Sequence, residues 1–175
     1  MNIVKTKSGI VHFILTGGTI DSFYNGKIDT VEPFKKSSIP RAIDNLNLHI
    51  KTKFTQVCMK DSRHLTEKDM NNVYNTIKKS KDKYFIVCHG TYCMPDTARY
   101  LAARLKKHNK TIIFTGSMVP IGFPASDAMF NLGFSISEIF HLESGIYVSM
   151  NGKIFSPNEI AKLIGKGQFI SIYNK

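Results

Sequence analysis

The chain is short of acid. Its 175 residues include 13 Asp and Glu against 24 Lys and Arg, a formal net charge of +11. So basic a balance points toward a nucleic-acid partner. The arrangement argues against it. The lysines are scattered, with short pairs at Lys35-Lys36, Lys78-Lys79 and Lys106-Lys107 and no aromatic-interleaved basic stripe. A solvated basic surface is the expectation, and nucleic acid is not expected as a partner.

Cysteine is scarce as well. Cys58, Cys88 and Cys93 form no CxxC pair, which excludes a disulfide framework and a zinc cluster. Cys88 lies in an apolar run and reads as buried and reduced. His12, His49, His64, His89, His108 and His141 lack ligand spacing, so neither a metal nor an organic cofactor is expected. Long apolar runs are missing too. Nothing approaches the roughly 18 consecutive apolar residues of a membrane span, so no membrane partner is expected. Lys5 and Lys7 before the apolar residues 11–15 look faintly like a secretory signal. That run ends at once in Thr16-Gly17-Gly18-Thr19, short of the about 7–15 apolar residues of a signal core. We read it as a first β-strand and expect a cytoplasmic protein. Internal repeats, low-complexity segments, GxGxxG and the P-loop lysine pattern are all absent.

What remains fits one ordinary domain. Hydrophobic residues make up 42% of the chain, enough for a core. Residues 11–15, 84–88, 111–114 and 146–150 are compact runs rich in Ile, Val, Phe and Tyr, suited to strands buried on both faces of a parallel sheet. Residues 49–58 alternate, like a strand with one exposed face. Thr66 is placed to cap a helix with Asp69, ahead of Met70, Val73, Tyr74 and Ile77 at helical spacing. Residues 95–107 and 126–141 read as two more helices. Strands alternating with helices predict an α/β fold, a doubly wound, mostly parallel sheet with helices on both faces. Residues 22–37 hold Gly26, Pro33 and few periodic apolar positions. They read as a long loop, either a lid or a plain connector.

Ligands of open parallel sheets bind beyond the carboxyl ends of the strands. There this chain places Thr16-Gly17-Gly18-Thr19, then Lys60-Asp61-Ser62, His89-Gly90-Thr91-Tyr92 and Thr115-Gly116-Ser117. Each segment pairs small residues with a hydroxyl, and together they would line one polar pocket. Gly17 and Gly18 permit a sharp turn and close approach to a ligand, and N–H groups exposed in such turns stabilise an oxyanion.

In order, these segments resemble the bacterial-type L-asparaginase/glutaminase family, specifically its N-terminal domain. TGGTI (16–20), DSRHLT (61–66), IVCHGTYCMPDTA (86–98), TGSMVPIGFPASDAMFNL (115–132) and MNGKIFSPNEIAK (150–162) each resemble a family motif. The resemblance runs from about residue 10 to residue 172. It implies a Rossmann-like or flavodoxin-like fold and hydrolysis of L-asparagine to L-aspartate and ammonia. Thr19 would be the nucleophile that forms an acyl-enzyme, and Tyr24 its hydrogen-bond partner. A free hydroxyl is a weak nucleophile and needs such activation. Thr91 would be the second essential threonine. Lys162, otherwise read as a solvated helix lysine, would support it as a neutral amine. Asp61 and Ser62 would hold the substrate's α-amino and α-carboxylate ends, with Gly18, Gly90 and Tyr92 beside them. His89 reads as structural at its strand end.

Two departures from the family pattern stand out. The family usually carries aspartate where this chain has Tyr92, and a phenol does not supply a carboxylate's charge. Losing one charge-assisted hydrogen bond costs roughly 1.5–3 kcal/mol. Full-length members also add a second α/β domain. Here the resemblance implies a single N-terminal-type domain over residues 1–175, with that second domain absent. The 22–37 segment is then the candidate to close the pocket, and homo-oligomer formation is expected by family likeness. Two other readings remain open at this point. One is a catalytically weakened relative that binds a small amino acid or a protein partner, motivated by Tyr92. The other is an amidotransferase subunit acting with tRNA, motivated by the basic charge.

Overall fold

The computed structural model describes residues 9–173; Lys5 and Lys7 lie outside the described residues. The chain runs β1 (Ile10–Gly17), β2 (Ser22–Asn25), β3 (Thr30–Pro33), α1 (Ile39–Asp44), β4 (Lys51–Lys60) and α2 (Glu67–Lys79). It continues through β5 (Tyr84–Cys88), α3 (Met94–Arg104), β6 (Thr111–Thr115), α4 (Ala128–Glu138) and β7 (Gly145–Met150). Three short strands follow, β8 (Lys153–Phe155), β9 (Ile160–Leu163) and β10 (Gln168–Ser171).

The main sheet has the order β4-β1-β5-β6-β7-β8. Its first five strands are parallel, and β8 closes the far edge antiparallel to β7. Counting only parallel strands, this is the 2-1-3-4-5 order of flavodoxin-like sheets. The expected doubly wound α/β fold is therefore present. Its strand order reverses between β1 and β5, and sheets of this kind bind their ligands beyond the carboxyl ends at that point.

Side-chain alternation divides the core in two. Val11, Phe13, Leu15, Ile86 and Ile113 face one way and pack with Ile39 and Ile43 of α1 and with Ala128 and Leu132 of α4. Ile14, Phe85, Val87, Ile112 and Phe114 face the other way, onto Val73 and Ile77 of α2 and Ala98 and Leu101 of α3. Burial on both faces is why β1, β5 and β6 read as near-continuous apolar runs. Each fully buried Phe or Ile contributes about 1.5–3 kcal/mol. β4, at the sheet edge, is only partly buried, as its alternation predicts. His12 and Thr16 are polar and buried within β1. His12 lies with Nε2 2.8 Å from Thr55 Oγ1 and Nδ1 2.9 Å from Asp82.

The helix signals hold locally. Thr66 and Asp69 form a reciprocal capping box at the start of α2. The other two expected helices are α3 and α4, at Met94–Arg104 and Ala128–Glu138, each ending before the residues 107 and 141 predicted for them. Two expectations need correction. Residues 22–37 are not an open loop, because β2 and β3 pair as an antiparallel hairpin. Lys162 is not on a helix. It lies on β9, which pairs antiparallel with β10 through Phe169↔Lys162. Buried Ile160 and Phe169 anchor this hairpin in the α2–α3 side of the core. Gly167, at φ 60°, ends the turn between the two strands. The short α1, with Ser38 at its N-cap position and Pro40 in its first turn, was not among the expected helices.

Candidate active site

The loops after β1, β4 and β5 meet at glycines, and no side chain fits between them. Gly17 and Gly18 both have positive φ, 85° and 80°. A Cβ on Gly17 would lie 2.6 Å from the backbone N of Lys60, and one on Gly18 would lie 2.2 Å from Cα of Gly90. A Cβ on Gly90 would in turn lie 2.6 Å from Cβ and Oγ of Ser62. Glycine is the residue that permits such approach of backbone to backbone. The N–H of Gly18 donates to the carbonyl of Lys60 at 2.8 Å, which fastens the first loop to β4. Behind the turn, the Gly18 carbonyl accepts from the N–H of Asp21 at 3.1 Å and from Ser22 Oγ at 2.8 Å. Thr19 therefore opens a tight 3-10 turn, half-buried, just beyond the carboxyl end of β1.

Thr91 follows Gly90 and is buried. Lys162 Nζ donates to Thr91 Oγ1 at 2.6 Å. The amine arrives from β9, whose first residue is held by Arg99 of α3. Arg99 Nη2 donates to the carbonyl of Ile160 at 2.5 Å. Burial pushes the Lys162 pKa down, and the negative charge of Asp61 partly opposes this. A lysine so placed loses its proton more readily than a solvated one. Beside it, a cleft of about 300 Å³ is lined by Tyr92, Asp96, Arg99, Ile160, Lys162 and neighbours. The Tyr92 side chain stands 49% exposed on its rim, while its backbone N–H donates to Ser62 Oγ at 3.2 Å.

The remaining predicted residues divide. Ser62 is buried at the junction of the β4 and β5 loops. Asp61 caps the short turn 62–64 through the N–H of Arg63 at 2.8 Å, and its carboxylate is gripped by the Arg63 guanidinium at 2.6 to 3.2 Å. That guanidinium holds the Asp61 carboxyl below the usual carboxylate range. Tyr24 is not brought to Thr19. It lies 54% exposed on β2, and its phenol donates to Asp29 Oδ1 at 2.5 Å within the hairpin. The hairpin flanks a second cleft, of about 380 Å³, whose other wall is Met59, Lys60, Asp61, Arg63 and His64.

His89 is fully buried. Its Nδ1 lies 2.8 Å from the carbonyl of Gly90, a contact that requires that nitrogen to donate. Burial lowers its pKa to about 4, so the ring is neutral near pH 7. It packs edge-on to Phe114 and supports the Gly90 turn.

Sequence reasoning missed one network. Asp127 occupies the N-cap position of α4 yet makes no capping bond. Its carboxylate instead accepts the N–H groups of Met118 and Val119 at 3.0 to 3.1 Å. Asn131, fully buried, donates to the Gly116 carbonyl and to Asp127, and accepts from the N–H of Asn151, all at 3.0 Å. Together these two residues hold the loop after β6 against the end of β7. The available signal, an Asp just before an apolar helix, reads locally as an ordinary cap.

Fold and site define a flavodoxin-like α/β protein with two threonines and a lysine gathered at its switch point. Residues 10–167 match the model of the family described as Asparaginase, N-terminal, and the chain belongs to that family. It is similar to L-asparaginase 1 of Escherichia coli (strain K12), 36% identical over 74 residues, which cover 41% of this chain and 22% of that protein. The L-asparaginase of Thermococcus kodakarensis is 28% identical over 116 residues, 64% of this chain and 35% of that protein. The human 60 kDa lysophospholipase is 33% identical over 102 residues, 57% of this chain and 17% of that protein. Among solved structures, the thermostable L-asparaginase from T. kodakarensis superposes with a TM-score of 0.80 at 23% identity, over 95% of this chain and 52% of that chain. L-asparaginase I from Vibrio cholerae superposes with a TM-score of 0.82 at 21% identity, over 94% of this chain and 52% of that chain. The chain thus spans about half the length of the solved relatives it matches.

Proposed function

We propose that this chain is an amidohydrolase that converts L-asparagine to L-aspartate and ammonia, with Thr19 as nucleophile. The observation that carries this reading is the Lys162–Thr91 hydrogen bond of 2.6 Å, beside a Thr19 turn packed backbone-to-backbone on Gly90. In the proposed reaction the Thr19 hydroxyl attacks the side-chain amide carbonyl. Its proton goes to the departing nitrogen, which leaves as ammonia, and an ester to Thr19 remains. Water then adds to that ester, releases the carboxylate and restores the hydroxyl. Thr91 and a neutral Lys162 relay the protons. Such general acid–base assistance contributes about 10²–10⁴-fold in rate. Tyr24 reaches Thr19 when the β2–β3 hairpin moves over the crevice and its phenol leaves Asp29. Homo-oligomeric assembly and a cytoplasmic location belong to the same proposal.

Tyr92 on the rim of the Lys162 cleft favours one second reading, a relative that binds a small amino acid without turnover. Ammonia release from L-asparagine by the wild type and by Thr19→Ala separates the two. The first reading expects release that Thr19→Ala abolishes. Binding of asparagine with no release by the wild type would overturn it in favour of the second.

A further inference from the structure

Lysine pairs that are scattered along the sequence do not stay scattered in the fold. β5 and β6 are parallel, so the segments leading into them emerge together at the amino ends of the strands. There α2 ends at Lys79 and α3 at Arg104. Between these ends lies a cleft of about 500 Å³, larger than either cleft beside Lys162 and Asp61. Five of its lining side chains are cationic, Lys78, Arg104, Lys106, Lys107 and Lys110, and no acid lines it. It sits a strand length, about 15 Å, from the threonine–lysine site at the carboxyl ends.

The walls of this cleft are held in place. Lys110 is buried, and its Nζ donates to the carbonyls of Ser80 at 2.7 Å and Asp82 at 2.9 Å, which ties the loop before β6 to the loop before β5. The Lys110 N–H donates to His108 Nδ1 at 3.1 Å. Burial holds the His108 pKa below the ordinary histidine value, so the ring is neutral near pH 7 and Nε2 carries its hydrogen. Arg104 lies over the Tyr100 ring, with Cζ 3.8 Å from its centre, and Lys78 Nζ stands 5.3 Å from the centre of the Tyr74 ring. Cations at helix C-termini ordinarily answer the helix dipole, but two helix ends together carry only about one negative charge. Glu67 takes Arg104 at 3.3 Å, and Asp82, whose charge reaches Lys110, is itself paired with Lys53 and His12. Lys78, Lys106 and Lys107 form no ion pair among the described residues. About three positive charges are thus left uncompensated around one concavity, where they repel one another and focus an attractive field on anions. A single phosphate group brings only about −1.5 to −2. A run of two or three phosphates matches the excess, and the volume falls in the roughly 300–1,000 Å³ range of small-ligand sites.

We propose that the cleft between the ends of α2 and α3 binds a di- or triphosphate chain, either inorganic or borne by a nucleotide. Lys78, Lys106 and Lys107 supply charge-assisted hydrogen bonds to the phosphate oxygens, and His108 Nε2 adds a neutral donor. The site shares no residue with the threonine–lysine centre, so it stands or falls apart from the hydrolase reading.

Calorimetric titration of the wild type at physiological salt, with tripolyphosphate, ATP and orthophosphate as separate probes, tests this. Tripolyphosphate is expected to bind one to one and at least about tenfold more tightly than orthophosphate, the scale of one further charge-assisted contact. ATP binding as tightly as tripolyphosphate or more so would support a nucleotide as the source of the phosphates, and weaker ATP binding would support an inorganic chain. Lys106→Gln combined with Lys107→Gln should weaken tripolyphosphate binding by about tenfold or more. Lys35→Gln combined with Lys36→Gln removes the same charge from outside the cleft, and should change binding by less than about threefold because salt screens exposed charges. No saturable binding of tripolyphosphate or ATP, no preference over orthophosphate, or equal weakening by the two double variants would each overturn the proposal. So would tighter binding of a single-stranded oligonucleotide than of either probe, which would make the basic pole a nucleic-acid surface instead.

Discussion

Lys162 and Thr91 stand 71 positions apart in the chain and share a 2.6 Å hydrogen bond, half-sheltered from water. Because burial lowers the Lys162 pKa and Asp61 raises it, the neutral amine accumulates as pH rises through a value below that of a free lysine. Activity that needs the neutral amine should therefore rise along the same limb. Asp61→Asn removes the opposing charge, so that limb should move to lower pH in a kcat/KM profile. Lys162→Met should lower kcat by about 100-fold or more. A limb unmoved in Asp61→Asn would mean that another group titrates there.

Gly18 should tolerate no side chain. Gly18→Ala places a Cβ 2.2 Å from Cα and 2.4 Å from N of Gly90, at a φ of 80°. Strain and backbone displacement together should cost more than about 2 kcal/mol. Gly122→Ala is the control, since a Cβ there meets nothing within 4 Å. Urea denaturation should show a large loss for the first and little change for the second.

Asn131→Ala should destabilise the fold by about 3 kcal/mol, since it strands a buried carbonyl and an N–H. The side chain joins Gly116, Asp127 and Asn151 at 3.0 Å. Amide hydrogen exchange should locate the loosening in the loop after β6. A loss below about 1 kcal/mol would mean that water replaces those bonds easily.

His89 should make stability depend on acid. Its pKa is lowered from 6.5 to about 4 in the fold, so between those values the unfolded chain binds the extra proton. Stability from this group is full above the unfolded pKa and falls as pH drops toward the folded one. By linkage the loss between pH 7 and pH 5 is about 2 kcal/mol. Denaturation at both pH values should show it, and His89→Gln should flatten that part of the dependence.

Several features were legible because the forces behind them are local or periodic. Thr66 and Asp69 read as a capping box because the two partners are three residues apart in one turn of chain. β5 and β6 read as central strands because every residue in them is buried. The β2–β3 hairpin escaped notice. Its strands are four residues each and only partly buried, with Ser22 alone of the eight fully so, and no buried apolar stripe marks them. Asp127 was legible within its motif but not as the acceptor for Met118 and Val119, which lie on a different loop. Lys162 was legible through its motif. Its strand conformation was not, because that depends on Ile160 and Phe169 reaching the core from the two arms of a hairpin.

The sequence by itself determined the chemical inventory: hydroxyls at Thr19 and Thr91, glycines beside them, an amine at Lys162, and strands that end where those groups begin. It also determined the helix starts and the apolar faces, since both arise from spacings of a few residues. Tertiary structure decided who meets whom. It packed Gly18 on Gly90, joined Lys162 to Thr91, turned Tyr24 toward Asp29 and gave Asp61 to Arg63. The physical reason differs between these pairs. The Gly18–Gly90 and Thr91–Lys162 contacts depend on strand order and on a hairpin docked from the far end of the chain, which local periodicity does not encode. The Tyr24–Asp29 and Asp61–Arg63 pairs are close in sequence, yet the geometry of the hairpin and of the 62–64 turn decided them.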